Sequence, residues 1–174
     1  MFITLVKLIF DICCLRKGPQ DLPRSDVLLA ILVVAYCSVA YLMLATGEEL
    51  LLVWLEIAFE LLLVMGFVGL LLAVARKLSR YRQVLGAFLG TDAMISFFAI
   101  PSMFTQTEGP MAELILLAIL ALMLWHWVVC GHIIRHAISQ SLSFGLGIAF
   151  LYVFGSYQLM DWFAGIIGAL FGTL

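Results

Sequence analysis

Four ionisable side chains stand inside stretches of sequence that are otherwise apolar. Glu56 and Glu60 lie in one long hydrophobic run, Asp92 in the next and His126 in a third. Carboxyl groups held together in a medium of low dielectric oppose one another's ionisation, and an imidazole beside them can carry the shared proton. Such a set can relay protons or bind a cation. The same set, hydrogen-bonded between helices, can simply hold a bundle together. An ionisable group at bilayer depth costs on the order of 3 kcal/mol or more, so each one requires a reason.

The elements that position these groups are read from hydropathy. Of 174 residues, 65% are hydrophobic and 11% charged, and the mean hydropathy is +1.18. A soluble domain of this size has no core large enough for that apolar surface, so lipid is the expected solvent. Apolar stretches run over about 27–46, 50–75, 84–104, 114–135 and 142–160. Each is near or above the ~20 residues that span a bilayer as a helix. The runs are continuous rather than alternating, which excludes a β-barrel. The expected fold is therefore an all-α integral membrane protein: a single domain, 1–174, with a five-transmembrane-helix bundle and an N-terminal interfacial amphipathic helix.

The charges sort by sign between the runs. The nine Lys and Arg residues fall before the first run (Lys7, Arg16, Lys17, Arg24), between the second and third (Arg76, Lys77, Arg80, Arg82) and at the end of the fourth (Arg135). The other two connections carry acids, Glu48 and Glu49, then Glu108 and Glu113. Basic loops remain on the cytoplasmic side, so the pattern predicts the N-terminus in and the C-terminus out. Arg76, Lys77, Arg80 and Arg82 are the candidates for contact with lipid headgroups at the cytoplasmic surface, at about 1 kcal/mol per residue.

Direction gives depth. At ~1.5 Å per residue, Glu60 lies ~15 Å below the acidic end, Asp92 ~12 Å above the basic end and His126 ~18–20 Å below the acidic end. Glu56 sits one turn nearer the acidic end than Glu60. Three helices thus bring a titratable group to about one level, and Tyr36 and Tyr41 bracket it in the first run. Gly86 and Gly90 form a GxxxG pair suited to close helix packing. Asp92 points ~160° away from Gly90, so lipid should touch neither face, which predicts a central third span. Gly168 and Gly172 repeat the spacing.

Residues 1–14 carry Thr4, Lys7 and Asp11 at helical spacing, which predicts a helix in the interface or docked on the bundle, with a Lys7–Asp11 pair facing water. The segment lacks the n-region and cleavage site of a signal peptide. Ser25 or Asp26 is the expected N-cap of the first span, and Pro101 should kink the third. Residues 139–174 as one helix would reach ~54 Å, so a break is expected near Gly155 to Asp161, with 161–174 as an apolar tail in the outer leaflet.

His126 and Cys130, like His132 and His136, are spaced i, i+4, but the two pairs point in different directions, so no metal, haem or other cofactor is expected. His132, Arg135 and His136 read as a positive helix end. Cys13 and Cys14 suit an interface or lipidation. No GxSxG, HExxH, P-loop or dinucleotide fingerprint occurs, so no enzyme is expected, and there is no basic surface for nucleic acid.

A pre-span segment DICCLRKGPQDLP followed by five closely connected spans resembles the Yip (Rab-interacting-protein) domain family, whose small bacterial members lie in the inner membrane. The family's DLYGP signature is absent, and no functional residues carry over. The resemblance implies a non-enzymatic multi-pass protein of the bacterial inner membrane acting through lipids or partner membrane proteins. The favoured expectation is accordingly a scaffold or accessory subunit, working through helix contacts with a membrane partner or a second copy. The alternative is a small proton- or cation-coupled transporter or channel using Glu60, Asp92 and His126.

Overall fold

The computed structural model describes residues 2–44, 49–103 and 110–171. These are helical, with no strand among them. The order is α1 (Phe2–Cys13), a 3₁₀ turn (Pro19–Asp21), α2 (Asp26–Leu44), α3 (Leu50–Val74), a 3₁₀ turn (Leu78–Arg80), α4 (Tyr81–Met103), α5 (Pro110–Ile138) and α6 (Leu142–Phe171). Five of them, α2 to α6, are long and apolar enough to cross a membrane. The expected turn at Thr46 to Glu48 and the loop around Glu108 lie outside the described residues, as does Gly172.

Local chemistry sets the ends. Ser25 Oγ accepts from the Leu28 amide at 3.3 Å and caps α2, as expected. Ser141 Oγ does the same for the Phe144 amide in α6. Pro110 opens α5, where its missing N–H costs nothing. Helices α1, α3 and α5 all end in the same way. Leu15, Arg76 and Ser139 take left-handed backbone angles, with φ of 60°, 54° and 60°. The next amide in each case turns back to the helix: Arg16 to the Asp11 carbonyl, Lys77 to Leu72 and Gln140 to Arg135. This is the Schellman arrangement, here without its usual glycine.

Helix α4 is the centre of the bundle and touches α1, α2, α3 and α5. Its glycines admit two neighbours. A Cβ on Gly86 would lie 3.2 Å from Leu32 of α2, and one on Gly90 would lie 2.6 Å from Ile9 of α1. Helix α1 thus docks on the bundle, burying Ile9, Ile12 and Cys13. The expected Lys7–Asp11 pair is replaced: the chain reverses at Leu15 and returns Lys17 to within 3.6 Å of Asp11. Helices α5 and α6 cross where Gly131 and Gly145 meet, and a Cβ on Gly145 would collide with the Gly131 carbonyl.

The break expected near Gly155 to Asp161 does not occur. Helix α6 runs unbroken to Phe171, so residues 161–171 are helix rather than a separate tail. No proline interrupts it, and a helical glycine costs only about 1 kcal/mol relative to alanine. Breaking the helix in hydrocarbon would strand its carbonyls at several kcal/mol each. Its far end is also held: Phe163 stacks on Phe59 of α3 at 4.0 Å, and Ile167 is buried. Pro101 lies inside α4, in its last turn.

Candidate functional site

Polar residues from all five spans meet in one cavity of about 420 Å³ between α2, α3, α4 and α6, with His126 reaching it from α5. Tyr36 comes from α2, Glu60 from α3, Asp92 and Ser96 from α4, and Tyr152 and Ser156 from α6. Toward the acidic end the wall includes Met43, Leu44, Met160 and Tyr157. That end is the mouth. From Leu44 at the mouth to Tyr36 at the floor, α2 advances ~12 Å.

Two of the predicted residues touch. His126 Nε2 lies 3.1 Å from Asp92 Oδ1. A proton on Nε2 makes this a hydrogen bond to the carboxylate, and a second proton on the ring makes it an ion pair. Cys130, one turn along α5, lies against the same imidazole. Glu60 makes no ion pair with either residue, but Asp92, His126 and Glu56 all act on it through space. Glu56 is not part of the described cavity wall. The predicted cluster is therefore a contact pair with one further acid facing the same space, and Glu56 lies outside it.

Tyr36 adds a feature of its own. It is 2% exposed, and its hydroxyl is the one buried side-chain oxygen or nitrogen among the described residues without a hydrogen bond. Glu60 stands near enough to act on it as a hydrogen-bond acceptor, although the contact falls short of a full hydrogen bond. A buried hydroxyl left unpaired costs roughly 1–3 kcal/mol. Tyr41, the second tyrosine noted in the first span, stacks on Trp54 at 5.6 Å instead.

The floor is aromatic. Phe67 stacks on Tyr152 at 4.1 Å, and Phe88 meets both edge-on at 5.8 and 5.7 Å. Below it Val68, Leu72, Leu85, Leu89 and Ile133 are fully buried. The cavity is thus shut toward the basic end by rings and then by packed aliphatic side chains.

At the basic end, polar side chains serve a different purpose. The chain between α1 and α2 holds only a short 3₁₀ turn, so most of its carbonyls need other donors. Nearer mid-depth, Trp125 Nε1 donates to the carbonyl of Cys13, the last residue of α1, at 2.9 Å. Gln83 Nε2 donates to the Gln20 and Leu22 carbonyls at 3.1 and 2.6 Å, and Arg24 Nε donates to its amide oxygen at 3.0 Å. His132 Nε2 stands 2.8 Å from the Lys17 carbonyl, with the His136 ring 4.6 Å away. Burial also pushes the Cys13 thiol up to about 12.

The predicted headgroup residues mostly bind the protein itself. Lys77 Nζ donates to the Ile138 carbonyl at 2.8 Å and the Ser139 hydroxyl at 2.7 Å. Arg80 donates to the His136 carbonyl at 3.3 Å, and Arg82 pairs with Asp26 at 2.9 Å. Arg76 is exposed at the end of α3.

Sequence reasoning missed Tyr152, Ser156 and Ser96 on the cavity wall. Their signal was faint, because hydroxyls are common in apolar helices. It missed the Gly131–Gly145 crossing too, since those glycines lie on different helices and make no spaced motif. Comparison with protein-family models, with curated proteins and with solved structures returns no match.

Proposed function

We propose that this chain is a non-enzymatic membrane transport protein that admits a cation, or a proton, to the cavity at its acidic end. Glu60 and Asp92 supply the charge, and His126 exchanges a proton with Asp92. What supports it is the convergence of Tyr36, Glu60, Asp92 and His126 from four helices on one open cavity. Ionisable groups that serve only as glue have no need of an opening of this size. They would be closed against one another, as the polar groups of the basic end are. Ion and proton pathways are where such groups are commonly retained inside membranes.

In the proposed orientation the N-terminus is cytoplasmic and the cavity mouth faces outward, following the distribution of Lys and Arg. The cavity then represents one side of an alternating cycle. Passage inward requires the Phe67–Phe88–Tyr152 floor to part. A scaffold role accounts for the capped basic end but leaves the cavity without a purpose.

The test is flux. Purified protein in liposomes containing a pH indicator, under an imposed cation gradient, should move protons or cations. Glu60→Gln and Asp92→Asn should each lower the rate at least tenfold while the melting temperature stays within a few degrees. Wild-type protein without flux, or isosteric variants with unchanged flux, would return the chain to the scaffold reading.

A further inference from the structure

Resting on that reading, the cavity's shape and wall narrow the class of cation. Among the described residues no three His, Cys, Asp or Glu side chains converge on one point. A bare metal ion, which demands several ligands at short range, would find too few of them. The space is too large for it as well. At about 420 Å³ it falls within the ~300–1,000 Å³ range of sites that hold small organic molecules.

The wall is graded along its depth. Met43, Leu44, Met160 and the Tyr157 ring flank the mouth, while Tyr36, Asp92, His126 and Tyr152 lie at the floor. No Lys or Arg belongs to the described wall. A ligand that fits therefore has a positively charged end to face two acids, and an apolar body to lie along the mouth. Tyrosine rings favour a cation further. The Tyr36 hydroxyl is buried beside Glu60 without a full hydrogen bond, so its oxygen can accept an N–H.

We infer that the cavity takes a small protonated amine, its ammonium group toward Glu60 and Asp92 with an N–H donated to Tyr36. The ammonium replaces the solvation that Glu60 and the Tyr36 hydroxyl lack, and its hydrocarbon part covers the largely apolar mouth.

The experiment is ligand titration of the full chain in lipid nanodiscs by calorimetry. The probes are butylammonium, tetramethylammonium, the neutral alcohol butanol, and sodium and potassium ions. Butylammonium should bind at least tenfold more tightly than butanol or either inorganic ion. Glu60→Gln should weaken it tenfold or more. Tyr36→Phe should weaken butylammonium severalfold and leave tetramethylammonium, which has no N–H, unchanged. The wild-type comparison of butylammonium with butanol requires no variant and stands if one fails to fold. Butanol binding as well as butylammonium would overturn the inference, as would equal losses for both ammonium ions in Tyr36→Phe. Glu60-dependent flux of protons or sodium with no ammonium binding would overturn the inference while leaving the transport reading intact.

Discussion

The two ends of this bundle use polar side chains in opposite ways. At the basic end polar side chains are spent on named acceptors: Gln83 on Gln20 and Leu22, Lys77 on Ile138, Arg80 on His136. The acceptors are backbone carbonyls that no helix satisfies, and unpaired carbonyls are expensive away from water. In the cavity the pattern reverses. Glu60 has no ion-pair partner among the described residues, the Tyr36 hydroxyl has no hydrogen bond, and open space lies between the helices. One end has been closed by its hydrogen bonds, and the other keeps polar groups in reserve.

That contrast can be broken at its strongest point first. Gly145→Ala places a methyl against the Gly131 carbonyl, backbone against backbone, and should cost about 3 kcal/mol. Gly155→Ala, toward the cavity end of the same helix, meets nothing within 4 Å and should be neutral or stabilising by up to about 1 kcal/mol. Unfolding of both variants in detergent checks the pair. Equal losses would show that the two ends are packed alike.

Gln83→Ala comes next. It leaves the Gln20 and Leu22 carbonyls without their donor and Arg24 without its acceptor. The expected loss is about 2 kcal/mol, with flux per folded molecule retained. Glu60→Gln should do the reverse, sparing stability and removing flux. If both variants lose stability and neither loses flux, the division between the ends fails.

Tyr36→Phe has a smaller effect of opposite sign. Deleting an unpaired buried hydroxyl should raise stability by about 1 kcal/mol, visible as an upward shift in melting temperature without ligand. A loss instead would mean that the hydroxyl is already bound in the resting protein.

The smallest signal is chemical. Burial pushes the Cys13 thiol up to about 12, and the thiolate is the reactive form. At pH 8 only about one molecule in ten thousand is then ionised at this position. Alkylation of Cys13, followed site by site by mass spectrometry, should be very slow at pH 8. It should rise about tenfold per pH unit toward pH 11, with half-buried Cys14 labelled first. Prompt labelling of Cys13 at neutral pH would show that α1 leaves the bundle readily.

Much of the candidate site was legible because depth follows from counting. Asp92 and His126 were brought to one level by rise per residue alone, and they meet at 3.1 Å. Glu56 shares a face of α3 with Glu60, but one turn is enough to take it off the described cavity wall. Tyr152 and Ser156 were not legible, because a hydroxyl in an apolar helix looks the same whether it lines a cavity or bonds its own backbone. The Schellman ends were hidden for a related reason. Their usual signal is glycine, and here Leu15, Arg76 and Ser139 hold the left-handed position. For α6, length weighed against membrane thickness suggests two pieces. No residue there can break the helix, and it runs unbroken to Phe171.

Amino-acid order by itself determined five apolar helices, a basic end and an acidic end, and a central α4 with glycines on one face and Asp92 on the other. Those are one-dimensional properties, fixed by hydropathy, charge sign and a period of ~3.6 residues. Helix order around the axis is not one-dimensional, and only the tertiary structure decided it. It put Leu32 and Ile9 against the glycines of α4, turned Lys77, Arg80 and Arg82 back onto the protein, and left Tyr36, Glu60 and Asp92 facing an open space. Sequence records that a polar group is present. Whether it is spent on a backbone carbonyl or held free for a ligand depends on what the neighbouring helices bring within about 3 Å.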